Sequence, residues 1–162
     1  MKLSDLHRRL LTAVIDIDAP YPLVITGGYA VQAHECEVDV LKEHFWTAPV
    51  QTEYGPVLAF DSVIGTKVRA LADRGAVRDL IDVHAASRHR TLKELERLGE
   101  RHGRGEFRLH DLRDRLAGAD WADDEEFYAY GLTEDGTAEL RAWAQRWVSD
   151  LEQRLHDHDG DA

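Results

Sequence analysis

At 162 residues the chain is long enough for one domain with a full hydrophobic core, or a domain with an appended helical piece, which excludes an array of small domains. Hydrophobic residues make up 43% and charged residues 31%, and no apolar run approaches the roughly 20 residues that span a bilayer. The charged N-terminal stretch MKLSDLHRRLL is not a secretory apolar segment, so the expectation is a cytoplasmic protein with no membrane anchor.

The formal charge of −11 argues against non-specific coating of nucleic acid. A single cysteine, Cys36, excludes an internal disulfide and a multi-cysteine zinc site, and reads as a buried thiol. Charge is unevenly spread. Residues 60–115 carry 13 Lys/Arg against 10 Asp/Glu, residues 120–162 carry 3 against 13, and residues 1–59 carry 4 against 8. The central third is therefore the expected phosphate-facing surface.

In chain order, Leu3, Leu6, Leu10, Leu11 and Val14 fall at helical spacing, and the Asp18-Ala-Pro20-Tyr-Pro22 segment ends that helix. Leu23 to Thr26 is a short apolar, largely β-branched run closing on Gly27-Gly28, which predicts a buried strand and a tight turn. Tyr29 to His34 opens a further helix, whose first N–H groups would sit beside the glycines. Cys36 to Leu41 alternates with period two and places Glu37 and Asp39 on one face of a strand. A loop or hairpin is expected around Pro49 to Pro56. Helical periodicity then dominates over Phe60 to Arg74, Val77 to Arg88, Thr91 to His102, Phe107 to Leu116 and Thr137 to Leu155, with a frayed tail HDHDGDA.

Three constellations could carry chemistry. The Gly27-Gly28 turn between strand and helix lets a backbone approach phosphate, or is a plain turn. Glu37 and Asp39 project to one side, as a two-metal phosphoryl-transfer site needs, or form a solvated strand face. Asp16 and Asp18 share that spacing but fall at a helix end, where acids serve turns. In the third, Lys67 and Arg74 lie seven apart on one helix face, followed by Arg78, Asp79 and Asp82 within about a turn of the next helix. That set suits triphosphate oxygens, or is a salt-bridged helix pair held by Arg78 and Asp79. The nine histidines follow no HExxH or Cys/His pattern. Trp121, Tyr128, Tyr130, Trp143 and Trp147 are expected in the core rather than as base-stacking platforms.

Taken in order, ITGGYAVQAH, EVDVL and FDSVIGTKVRALADRGAVRDLIDVHAA resemble the AbiEii/AbiGii-type nucleotidyltransferases, the toxins of type IV toxin–antitoxin systems within the polymerase-β-like superfamily. The resemblance covers about residues 20–90. It implies an α+β fold with a reduced, nucleotidyltransferase-type mixed β-sheet flanked by helices. The order of elements along the chain makes residues 1–59 an N-terminal helix and nucleotidyltransferase-like strand region and 60–162 a helical C-terminal region, packed as a single compact unit. The resemblance also implies transfer of a nucleotidyl group from an NTP to an RNA or protein acceptor, a Mg²⁺ cofactor and an antitoxin partner. By the same resemblance Gly27, Gly28, Lys67 and Arg74 would bind the nucleotide. Asp39, Lys67 and Asp82 would be catalytic, and Glu37 and Asp39 would hold the metal.

One departure from the family pattern bears on activity. Only eight residues separate Gly28 from Glu37, where the family places a helix, a loop and an Asp-x-Asp strand. Either Glu37-Val-Asp39 replaces that pair in a compressed site, or the chain is a catalytically inactive module that binds nucleotide or protein.

Overall fold

Val50–Thr52 (β1) and Gly55–Val57 (β2) pair antiparallel, with Val50 opposite Val57, Gln51 opposite Pro56 and Thr52 opposite Gly55. They are followed by helices α1 (Phe60–Arg74), α2 (Val77–Ala86), α3 (Leu92–His102), α4 (Leu109–Ala117), α5 (Asp124–Ala129) and α6 (Glu134–Asp159), with a 3₁₀ turn at Gly118–Asp120. This is a computed structural model, and it describes residues 46–52 and 55–159. The chain divides into two units, Met1–Val63 and Ile64–Ala162, and the division falls within α1. The expected helix over 3–15, the strands at 23–26 and 36–41, the Gly27-Gly28 turn and Cys36 lie outside the described residues. What is described is an α+β chain, mostly helical, with a two-stranded antiparallel sheet.

The core of the second unit follows from helical spacing. Val68, Leu71 and Ala72 on α1 are buried, as are Val77, Leu80 and Val83 on α2 and Leu95 and Leu98 on α3. Leu112 and Leu116 on α4 and Leu140, Ala144, Trp147 and Leu151 on α6 complete the set, each spaced by three or four residues. Gly75 takes φ +65°, the left-handed conformation that closes α1 and releases the chain into α2 two residues later. A Cβ at Gly75 would also stand 2.8 Å from Cδ of Arg115, whose Nη2 donates to the Asp73 carbonyl at 3.2 Å.

Helix α3 begins on a reciprocal cap. The Glu94 backbone N–H donates to Thr91 Oγ1 at 3.3 Å, while Glu94 Oε2 accepts from the Thr91 N–H at 2.7 Å. The Thr91 N–H first, and then the Thr91 hydroxyl, which donates to Glu94 Oε2 at 2.8 Å, hold the Glu94 carboxyl below its usual range. Helices α1 and α3 approach closely at Gly65, where a Cβ would meet His102 Nδ1 at 2.1 Å and the Leu98 carbonyl oxygen at 2.7 Å. His102 is buried; its Nδ1 donates to that same carbonyl at 2.9 Å, and its Nε2 has no hydrogen-bond partner among the described residues.

Three expectations are corrected here. Trp121, Tyr128 and Tyr130 are not core residues: they are 87%, 41% and 44% exposed, while Trp143 and Trp147 are buried as expected. Trp121 follows the 3₁₀ turn instead of continuing a helical stripe, and α5 buries Phe127, which leaves Tyr128 and Tyr130 turned away. Helix α6 also starts at Glu134 and runs to Asp159, so the first four residues of the expected frayed tail are helical. Thr133 explains the early start, because its Oγ1 accepts from the Gly136 N–H at 3.1 Å.

Candidate functional site

The Lys67 to Asp82 stretch folds into one ionic cluster between α1 and α2. Lys67 Nζ lies 2.7 Å from Asp82 Oδ2 and 3.7 Å from Asp79 Oδ1. Arg74 grips Asp79 with two bonds, Nε to Oδ2 at 2.6 Å and Nη2 to Oδ1 at 3.0 Å. Seven residues along α1 return Arg74 to the Lys67 face, and the tight Gly75 corner brings the start of α2 against it. Asp79 therefore bridges both cations.

Burial separates the roles of these groups. Asp79 is fully buried, and a carboxylate there needs partners, which Arg74 and Lys67 supply. The Asp82 side chain is 35% exposed and that of Lys67 20%, so the Lys67–Asp82 pair lies where a ligand can reach it. Of the two residues expected to hold the helix pair, Asp79 does so, whereas Arg78 is exposed and forms no ion pair among the described residues. The cluster thus brings together Lys67, Arg74 and Asp82 of the expected site. Gly27, Gly28, Glu37 and Asp39 lie outside the described residues.

The described acids do not make a magnesium site. Oxygens of both Asp79 and Asp82 are taken up by cations, and no group of three His, Cys, Asp or Glu side chains among the described residues could hold a metal ion. Two of the described histidines have packed surroundings: His84 lies on Trp143 with ring centroids 4.9 Å apart, and His102 is buried against α1. Burial lowers the His84 pKa, Arg88 and Arg146 lower it further, and Glu139 opposes them. Among the described residues no helix is long and apolar enough to cross a membrane.

Sequence reasoning passed over Lys93, Arg97 and Phe107, which line a groove beside α3. The available signal was the pair Gly99 and Gly103, four apart, ahead of an aromatic residue. Charge periodicity did not separate those cations from ordinary solvated helix residues.

The helix pair thus presents a lysine and an acid to solvent over a buried ionic brace. Residues 29–151, about three quarters of the chain, match the family described as nucleotidyl transferase AbiEii toxin, type IV toxin–antitoxin system, and the chain belongs to that family. Membership points to an antitoxin partner. Neither a curated protein nor a solved structure matches the chain.

Proposed function

We propose that the chain transfers a nucleotidyl group from an NTP to an RNA or protein acceptor, with Lys67 meeting the triphosphate and Asp82 acting beside it. One observation carries this reading: Lys67 sits at the edge of the ionic cluster, paired with the accessible Asp82 at 2.7 Å and backed by the buried Asp79. A phosphate oxygen replaces the Asp82 carboxylate on Nζ more readily than that of Asp79, which Arg74 also grips. The Asp82 carboxylate so released is placed to position the acceptor hydroxyl or take its proton as that oxygen attacks the α-phosphorus and pyrophosphate departs. In this reading Arg74 acts on the nucleotide chiefly by holding the helix pair that presents Lys67.

The nucleotidyltransferase-type sheet, the Gly27-Gly28 phosphate turn, a Mg²⁺ requirement and the ligands Glu37 and Asp39 form the rest of the proposal, and they rest on family membership. A second reading, binding of nucleotide or protein without turnover, is favoured by the neutralisation of Lys67 by two carboxylates before any ligand arrives.

Calorimetric titration with each NTP, with and without Mg²⁺, tests the proposal together with transfer of labelled nucleotide onto RNA and protein. Lys67→Ala is expected to weaken NTP binding by about 1–3 kcal/mol, the range of a charge-assisted contact, and Asp39→Ala to abolish transfer. Equal NTP affinity in Lys67→Ala refutes the role given to Lys67. Binding that persists without transfer to any acceptor supports the second reading.

A further inference from the structure

A groove of about 290 Å³ opens beside α3, between that helix, the start of α4 and the C-terminal half of α6. It shares no residue with the Lys67 cluster. Its back wall is fixed by Glu96, which is buried and accepts from Trp147 Nε1 at 2.9 Å and from Arg154 Nη2 and Nη1 at 2.6 and 3.0 Å. Asp150 braces Arg154 from one turn below, accepting from Nε at 2.9 Å. Arg154 therefore contributes shape to the wall, because its charge is already matched.

The aromatic side of the groove is equally constrained. Phe107 lies against α3 where two glycines make room: a Cβ at Gly99 would stand 2.8 Å from Cε2 of the ring, and one at Gly103 would stand 2.4 Å from Phe107 Cβ. Gly103 has φ −79°, which any residue adopts, so the backbone does not require glycine there. The seat for Phe107 does. On the rim Lys93 and Arg97, one helical turn apart, are exposed and form no hydrogen bond or salt bridge among the described residues, and Glu100 is exposed beside them.

A half-buried aromatic ring seated on two glycines, with two exposed cations on the rim of which Arg97 also faces Glu94, matches a planar base carrying a phosphate. The ring supplies a stacking surface, the cations take phosphate oxygens, and the Glu100 carboxylate accepts from an exocyclic amine. The volume is at the lower end for small-molecule sites, about 300 Å³, which fits one nucleotide and not several. With Arg154 matched by Glu96, the remaining charged lining is Lys93 and Arg97 against Glu100, which leaves the groove mouth basic by one charge.

We propose that this groove binds a single nucleoside monophosphate unit, stacked on Phe107 with its phosphate on Lys93 and Arg97, supplied as a free nucleotide or as one unit of a single strand. The assignment does not depend on transfer from Lys67.

The test is fluorescence anisotropy with a labelled single-stranded RNA tetramer, and calorimetry with AMP, on the full chain and three variants. Lys93→Gln/Arg97→Gln changes only exposed side chains and is expected to weaken binding at least about tenfold, and Phe107→Leu at least about fivefold. Affinity falls with added salt, and Lys67→Ala retains this binding. AMP and RNA both losing affinity in the groove variants identifies a site that a free nucleotide suffices to fill; RNA alone doing so identifies a strand site. Failure of both probes to bind overturns the proposal, as does binding lost in Lys67→Ala and kept in the groove variants. A loss confined to the double cation variant, with Phe107→Leu binding as the wild type does, describes a plain anion patch and overturns the nucleotide assignment.

Discussion

Replacing Asp79 by alanine removes the one carboxylate that both cations share. It deletes the two bonds from Arg74, at 2.6 and 3.0 Å, and a longer contact with Lys67 at 3.7 Å. A hydrogen bond to a charged group is worth about 1.5–3 kcal/mol when shielded. The Arg74 side chain is 49% exposed and recovers water when its partner goes, which reduces each bond to about 1 kcal/mol. The Lys67 contact adds little, since Asp82 still holds the ammonium. The expected loss is thus about 2 kcal/mol, and with a urea m-value of about 2 kcal/mol/M the unfolding midpoint falls by about 1 M. Urea unfolding followed by far-UV circular dichroism measures it, and a cycle with Arg74→Ala isolates the pair, with an expected coupling of about 2 kcal/mol. A midpoint shift equivalent to under about 0.5 kcal/mol, or strictly additive single variants, would show that the buried carboxylate does not brace the helix pair.

Two further predictions concern packing and pH. Gly65→Ala drives a methyl into His102 and the Leu98 carbonyl, and is expected to destabilise by about 3 kcal/mol, the upper end for overpacking; adding His102→Ala recovers only part, because the carbonyl stays, and full recovery in thermal melts would refute the backbone clash. His84 titrates below its usual 6.5, chiefly through burial, so the unfolded chain binds that proton more readily than the folded one. The stability this gives is complete above the unfolded value and is lost as pH falls through the lower folded one. Melting midpoints should therefore rise with pH from about 5 to about 7, and His84→Phe should flatten the rise; an equal slope in the variant removes His84 as its source.

Much of the second unit could be read along the chain because local signals and tertiary packing agree there. The first three helices of that half follow apolar periods that the core uses unchanged, and Thr91 with Glu94 spells out its cap. Helix α5 escaped because DEEFYA buries one residue, Phe127, and is held from outside by Arg141. That side chain reaches the Ala119 and Ala122 carbonyls, pairs with Asp124 at 2.7 Å and lies over the Phe127 ring. Helix α6 begins three residues ahead of the expected Thr137 because Thr133 caps it, and a mid-turn Gly136 is tolerated there. In the site, spacing put two cations and two acids on neighbouring helices. It could not say that one aspartate would take both cations, since that choice is made by the angle of the Gly75 corner. The groove was illegible for a similar reason: Phe107 and Arg154 are 47 positions apart, and only the fold makes them neighbours.

The close approach of Gly65 and His102 ties two positions 37 residues apart into a single steric unit. A lineage cannot enlarge residue 65 first, because the Leu98 carbonyl blocks it from behind, and shrinking residue 102 first opens a void against the bare glycine. Neither single change leaves the seam as it is, so each residue sets the size of the other, whereas the solvent-exposed turn at Trp121 carries no such constraint.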